Sequence, residues 1–147
     1  SYSYNSGGTV SGSSRQVGSL TLYNLYYSDG TSVYGSSQQL GSLKFYNFSD
    51  NRGNYTFGTS QRLEPITFYN FSGSNGSSLS GISQRLGSFT YYNFSDNRGD
   101  YTFGASQRLG PITFYDFSGS NGSSLSGTSQ RLGSFTYYDF TYSRPHR

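Results

Sequence analysis

A 23-residue word is written six times along this 147-residue chain, beginning at Ser14, Ser37, Ser60, Ser83, Ser106 and Ser129 with no insertion between copies. Each copy opens on a variant of Ser-Gln-Arg-Leu. Most then continue with Gly-Ser, a hydrophobic residue, Thr, an aromatic residue and Tyr. A constant period means one supersecondary unit repeated, each unit burying its apolar face against its neighbours. Function then sits on that scaffold, as several copies of one site.

Positions are counted here from the Ser of each copy. Four, seven and nine are apolar, as in Leu40, Leu43 and Phe45 or Leu63, Ile66 and Phe68. Thr or Lys44 stands between seven and nine, and position ten is Tyr in all six copies, from Tyr23 to Tyr138. Apolar, polar, apolar at a spacing of two predicts a strand with one buried face, the Thr and Tyr rows sharing the other. A Gly follows at position seventeen within Asp-Asn-Arg-Gly or Ser-Asn-Gly, turn chemistry that tolerates positive φ. A second short strand (55–57, 101–103) is expected to end at the Gly of position twenty-two, such as Gly58. Nothing has helical spacing.

Residues 45–82 and 91–128 match at all but six positions, so the larger unit is a pair of unlike hairpins repeated three times. Residues 1–13 align with the last part of a repeat, and the chain stops soon after the strand half of a sixth copy, at Phe140. The two incomplete ends therefore predict one hairpin that seals the fold and leaves no free edge. The expected architecture is all-β: a closed pseudo-threefold β-prism of about twelve strands, with a β-trefoil or a β-solenoid of stacked coils as alternatives. One domain covers 1–147, with a flexible tail over 142–147.

Apolar residues make up only 31% of the chain, a level that suits disorder, yet 16 Tyr and 12 Phe are placed too regularly for that. The absence of Cys excludes disulfides and thiolate metal sites. Catalysis has little to work with. The single histidine, His146, lies in the terminal Ser-Arg-Pro-His-Arg, and no nucleophile–base or metal-ligand spacing occurs. The expectation is a non-enzyme without metal or cofactor. A net charge of +3 with arginines spread along the repeats argues against nucleic acid. No apolar run approaches the roughly 18 residues of a membrane helix, so no membrane span is expected. The start at Ser1 without Met is read as that of a mature, secreted protein.

Low charge, many hydroxyls and amides, Gly-rich loops and aromatic platforms are the ingredients of saccharide recognition. Arg62, Arg85, Arg108 and Arg131 each follow a Gln, and a guanidinium fork beside an amide hydrogen-bonds sugar hydroxyls. Weak single sites gain strength through repetition. The expected function is a multivalent lectin for neutral sugars, with a homo-oligomer, a dimer, allowed. The candidate residues are Asn5, Gly7, Gly8 and Arg131, grouped where the chain ends meet, together with Gln130, Leu132, Gly133 and Asp139. Turn sites at Asn75, Gly76, Arg85, Asn121 and Gly122 complete the set. The alternative is a structural or adhesive matrix protein that self-assembles.

The run Leu43-Lys44-Phe45-Tyr46-Asn47, with Tyr55-Thr56-Phe57-Gly58 after its turn, resembles a hairpin of the jacalin-related lectins. Asn5-Ser6-Gly7-Gly8-Thr9-Val10 is similar to their Gly-Gly loop, and residues 132–138 to the strand after their sugar-binding loop. The resemblance implies the β-prism and a sugar site. It also implies a sugar-gripping Asp before that strand, where this chain has Gly18, Gly87 and Gly133. Arg131, backbone amides or a turn Asp would have to take over.

Overall fold

The computed structural model describes residues 5–145, which form a single antiparallel sheet closed into a barrel. The strands are β1 (Asn5–Val17), β2 (Leu20–Tyr27), β3 (Ser32–Leu40), β4 (Leu43–Asp50), β5 (Tyr55–Leu63) and β6 (Ile66–Gly73). They continue as β7 (Ser78–Leu86), β8 (Phe89–Asp96), β9 (Tyr101–Leu109), β10 (Ile112–Gly119), β11 (Ser124–Leu132) and β12 (Phe135–Pro145). Each pairs with its sequence neighbours, and β12 returns to β1 in a ladder from Asn5↔Pro145 to Arg15↔Phe135.

The two incomplete chain ends do zip together, but into a different body from the one expected. All twelve strands share one continuous ladder, so three separate prism faces are replaced by one round wall, and trefoil and solenoid are replaced with them. The segment expected to hang free is strand as far as Pro145, because it faces residues 5–8 across the seam. His146 and Arg147 lie outside the described residues.

Two kinds of connection alternate along the chain. At one end of the barrel each hairpin turns in two residues, as at 41–42, between the directly paired Leu40 and Leu43. Gly41 has φ of 65° and among the described residues no non-Gly residue has positive φ, which is the Gly-first hairpin turn whose twist matches the strands. Pro111 fits the second place of such a turn because its ring fixes φ near −65°. At the other end four-residue loops (28–31, 51–54, 74–77, 97–100 and 120–123) carry the position-seventeen glycines. Asp29 Oδ1 accepts the Thr31 N–H at 2.9 Å, which holds that carboxyl below the usual carboxylate range. The loops also bond sideways: Asn51 Nδ2 donates to the Gly30 carbonyl at 3.0 Å.

Alternation decides what faces where, and it runs opposite to the expected sense. The rows at positions four, seven and nine point outward, leaving Leu63 55% and Phe68 46% exposed. The Tyr row points into the barrel. Among the described residues Val10 is the one large hydrophobic that is buried, while Ser14, Ser37, Ser60, Ser83, Ser106 and Ser129 are all buried. The reason is volume. Even-numbered strands send Tyr and Phe into the lumen, and odd-numbered strands oppose them with Ser and Gly.

The position-twenty-two glycines do not end strands; they sit in mid-strand beneath those rings. A Cβ on Gly81 would meet the Asn93 carbonyl oxygen and lie 2.5 Å from a Phe94 ring carbon. Only a residue without a side chain lets the rings lie flat on the wall. Gly81→Val should therefore destabilise the barrel by about 1–3 kcal/mol, read as a lower denaturation midpoint in urea. Ser80→Val, one residue away and outward, should leave the midpoint nearly unchanged.

Candidate functional site

The lumen is built from six copies of one arrangement. Over each mid-strand Gly, a Tyr from the preceding even strand meets a Phe from the following one. Tyr46 and Phe71 meet over Gly58 with ring centroids 5.2 Å apart, Tyr69 and Phe94 over Gly81 at 5.3 Å, and Tyr92 and Phe117 over Gly104 at 5.1 Å. Tyr23 with Phe48 and Tyr115 with Phe140 repeat the pattern, and at the seam Leu25 replaces the Phe. Tilted aromatic pairs at this spacing add to the burial of their surfaces.

Each Tyr is pinned by its hydroxyl. Tyr69 Oη and Ser83 Oγ share a hydrogen bond of 3.0 Å, Tyr46 and Ser60 one of 3.1 Å, and across the seam Tyr138 and Ser14 one of 3.0 Å. The bond draws the ring along the wall and satisfies both hydroxyls, so no buried side-chain polar atom among the described residues lacks a partner. An eight-stranded barrel is filled by its side chains, whereas wider ones enclose space. With twelve strands and rings lying flat, this barrel keeps a central cavity of about 810 Å³. The six position-ten tyrosines, the five position-twelve phenylalanines and Leu25 border it, and it reaches the long-loop end at Tyr27, Gly119, Tyr142 and Arg144.

One step from the Ser row toward the tight turns lies a ring of opposite character. Gln16, Gln39, Arg62, Arg85, Arg108 and Arg131 alternate there with Thr21, Lys44, Thr67, Thr90, Thr113 and Thr136, all on the lumen face by register. Several of these side chains clip the turn beneath them. Arg131 Nε donates to the Gly133 carbonyl and Arg108 Nε to that of Gly110, each at 3.3 Å, while Gln39 Nε2 does the same to Gly41. Arg131 Nη2 also reaches the Gln16 Oε1 across the seam at 3.4 Å. The one carboxylate paired with this ring is Glu64, 3.8 Å from Arg62 and well exposed.

The residues expected to bind sugar do not converge. Asn5, Gly7 and Gly8 lie in β1 at the long-loop end, facing Pro145, Ser143 and Tyr142. Gln130, Arg131, Leu132 and Gly133 lie at the opposite end, around the tight turn between β11 and β12. Seven residues of β1 separate Gly8 from Arg15, which faces Phe135, a distance of roughly 23 Å. Asn75, Gly76, Asn121 and Gly122 occupy two non-adjacent long loops, where the Asn side chains accept the N–H groups of Ser77 and Ser123. Arg85 is in the cationic ring, Gln130 and Leu132 point outward, and Asp139 points outward from the middle of β12. The sequence reading missed the position-twelve Phe row, although its parity with the Tyr row was visible.

No protein-family model matches this sequence, and no curated protein matches it. Among solved structures it is similar to a five-substitution variant of Rh. blastica porin, with a TM-score of 0.50 at 11% identity over 90% of this chain. The match takes up 53% of that porin chain, so this chain spans about half of its length. A three-substitution variant of the same porin gives a TM-score of 0.45 at 7% identity, over 97% of this chain and 100% of the other. At such identities the likeness speaks to the barrel fold alone.

Two expectations are overturned. The jacalin-related resemblance fails because the strands close into one barrel whose solved neighbours are porins, not lectins. The short motifs behind it were hairpin chemistry common to many β folds. The expected partners, glycans without a membrane span, fail with it. Among the described residues no helix is long and apolar enough to cross a membrane, but that criterion addresses helices, and a closed barrel is the other architecture that satisfies its backbone in lipid.

The Tyr–Ser pin is testable by itself. Tyr69→Phe strands the buried Ser83 hydroxyl and should cost about 1–3 kcal/mol of stability. Adding Ser83→Ala should restore most of that loss in a double-mutant cycle read by urea unfolding, since both polar groups are then gone.

Proposed function

We propose that this chain is a membrane-embedded β-barrel, seated in lipid by its tight-turn end, with an aromatic chamber open to water at its long-loop end. The observation that carries the reading is the outer surface of the tight-turn end. Three outward sets of six residues stand there. The first two alternate round the circumference. The third, on the even strands, alternates with Arg15, Gln38, Gln61, Gln84, Gln107 and Gln130 on the odd ones. Val17 and five leucines (Leu40 to Leu132) form the first, and Leu20, Leu43, Ile66, Phe89, Ile112 and Phe135 the second. Leu22, Phe45, Phe68, Tyr91, Phe114 and Tyr137 form the third. The ring formed by the first two sets is an unbroken exposed apolar band, the kind of surface that marks a protein or membrane contact.

The belt is about 10 Å deep along the strands, two outward steps on the even strands and one on the odd. Above it the same outward position holds Asn24, Asn47, Asn70, Asn93, Asp116 and Asp139, then come Ser and Thr, with Tyr26, Tyr34, Tyr55 and Tyr101 near the long-loop end. Asn amides and Tyr hydroxyls suit the headgroup level, where amphipathic side chains collect. Closure matters as much as the belt. With β1 on β12 no strand edge is left open, which is the condition for a sheet to enter lipid. A protein held at a membrane replaces the freely secreted product expected from the sequence.

The chain contains no Trp, so single substitutions report their own surroundings. Phe68→Trp in the belt should be quenched strongly by brominated lipids in vesicles and shift to shorter emission wavelength. Tyr55→Trp at the long-loop end should be quenched much less. A barrel that stays out of floated vesicles, or that hides its belt in a lipid-indifferent oligomer, would refute the reading.

A further inference from the structure

We infer that the lumen holds a single-chain amphiphile with an anionic head: the tail in the aromatic chamber, the head on the ring of guanidinium groups below it. The inference goes beyond membrane seating, because it concerns the inner wall and a bound molecule rather than the outer surface. Its first support is the size and chemistry of the chamber. A cavity of about 810 Å³ falls within the range of ligand pockets. Around its middle the wall presents ring faces, because the six position-ten tyrosines have their oxygens engaged by Ser; toward the long-loop end Tyr27, Tyr142, Ser143 and Arg144 also line it. Such a wall favours a hydrocarbon chain over a polar solute.

The second support is the charge placed next along the axis. Arg62, Arg85, Arg108 and Arg131 lie two residues from the Ser row, about 7 Å nearer the tight turns, and Lys44 lies two residues from Tyr46 on the same side. Among the described residues only Glu64 answers them, from an exposed position beside Arg62. The other carboxylates lie elsewhere: Asp29, Asp50, Asp96 and Asp100 at the long-loop end, Asp116 and Asp139 on the outer face. Guanidinium groups set round one ring, with a single carboxylate paired to them among the described residues, favour an anion with several acceptor oxygens, such as a carboxylate, sulfate or phosphate ester. An apolar chamber directly above such a ring fits a molecule that carries both features.

A diazirine-bearing fatty acid and its methyl ester, photo-crosslinked to the barrel in zwitterionic vesicles and mapped by mass spectrometry, test this. The acid should label the lumen side, around Tyr69, Phe71 and Phe94. The ester should label those positions roughly tenfold less and mark the outer belt around Phe68 instead. The variant Arg62→Gln, Arg85→Gln, Arg108→Gln, Arg131→Gln should move the acid to the ester's pattern. Gln already stands in that ring at 16 and 39, so the fold accommodates it, and an unchanged melting curve would verify this. Equal lumen labelling by acid and ester, an unlabelled lumen, or full acid labelling in the four-Gln variant would each overturn the inference. Belt labelling with a silent lumen would overturn it while leaving membrane seating intact, whereas a silent belt would count against membrane seating.

Discussion

The ladder between β12 and β1 is the interaction on which the other eleven depend. Without it the sheet is an open ribbon with two long unpaired edges, and its two faces are equivalent choices. With it the ribbon becomes a wall with an inside and an outside. The repeat makes the ladder available: the first strand is the second half of a hairpin whose first half ends the chain. Backbone pairing across the seam then continues the register of every other pair, and Tyr138 bonds to Ser14 as Tyr69 does to Ser83.

Once the wall closes, side-chain volume settles which face is inner. Rings from even strands need room, and the mid-strand Gly and the Ser two residues on provide it. The rings lie along the wall instead of filling the centre, which leaves a chamber in place of a packed core. The aliphatic rows are consequently turned outward. One repeat thus generates three zones: an outer apolar belt, an inner aromatic collar, and a cationic ring beneath that collar. The two proposals about lipid and ligand use these zones separately.

Much of this was legible in the sequence. The strand at positions seven to ten, the long Asn/Asp-Gly loops and the complementary ends are all local features, and local chemistry specifies them. The Gly-first turns were not read, and the Ser-Gln-Arg segments before them are strand. The sense of the alternation was not legible. Period two marks two faces, and Leu43 with Phe45 makes a convincing core face until one asks what lies opposite. The answer, Ser37 and Gly35 facing Tyr46 and Phe48 in register, is a property of strand pairing and not of one strand. Gly58 looked like a terminator because a Gly in a strand is usually a break, whereas here it is the seat for two rings. Arg131 was grouped with Asn5, Gly7 and Gly8, which the register places at the far end of β1. The chain ends and the tight turn are close in the repeat alignment and lie at opposite ends of β1.

The most direct test of the account is the seam. Ser11 and Asp139 face each other across it, both outward, in a chain with no other thiols. In the variant Ser11→Cys, Asp139→Cys, a short bifunctional thiol reagent should join residues 11 and 139 within one chain, giving a monomer of raised gel mobility in high yield. Linkage only between separate chains, or none, would mean that the wall is open and that neither the lumen nor the belt exists as described.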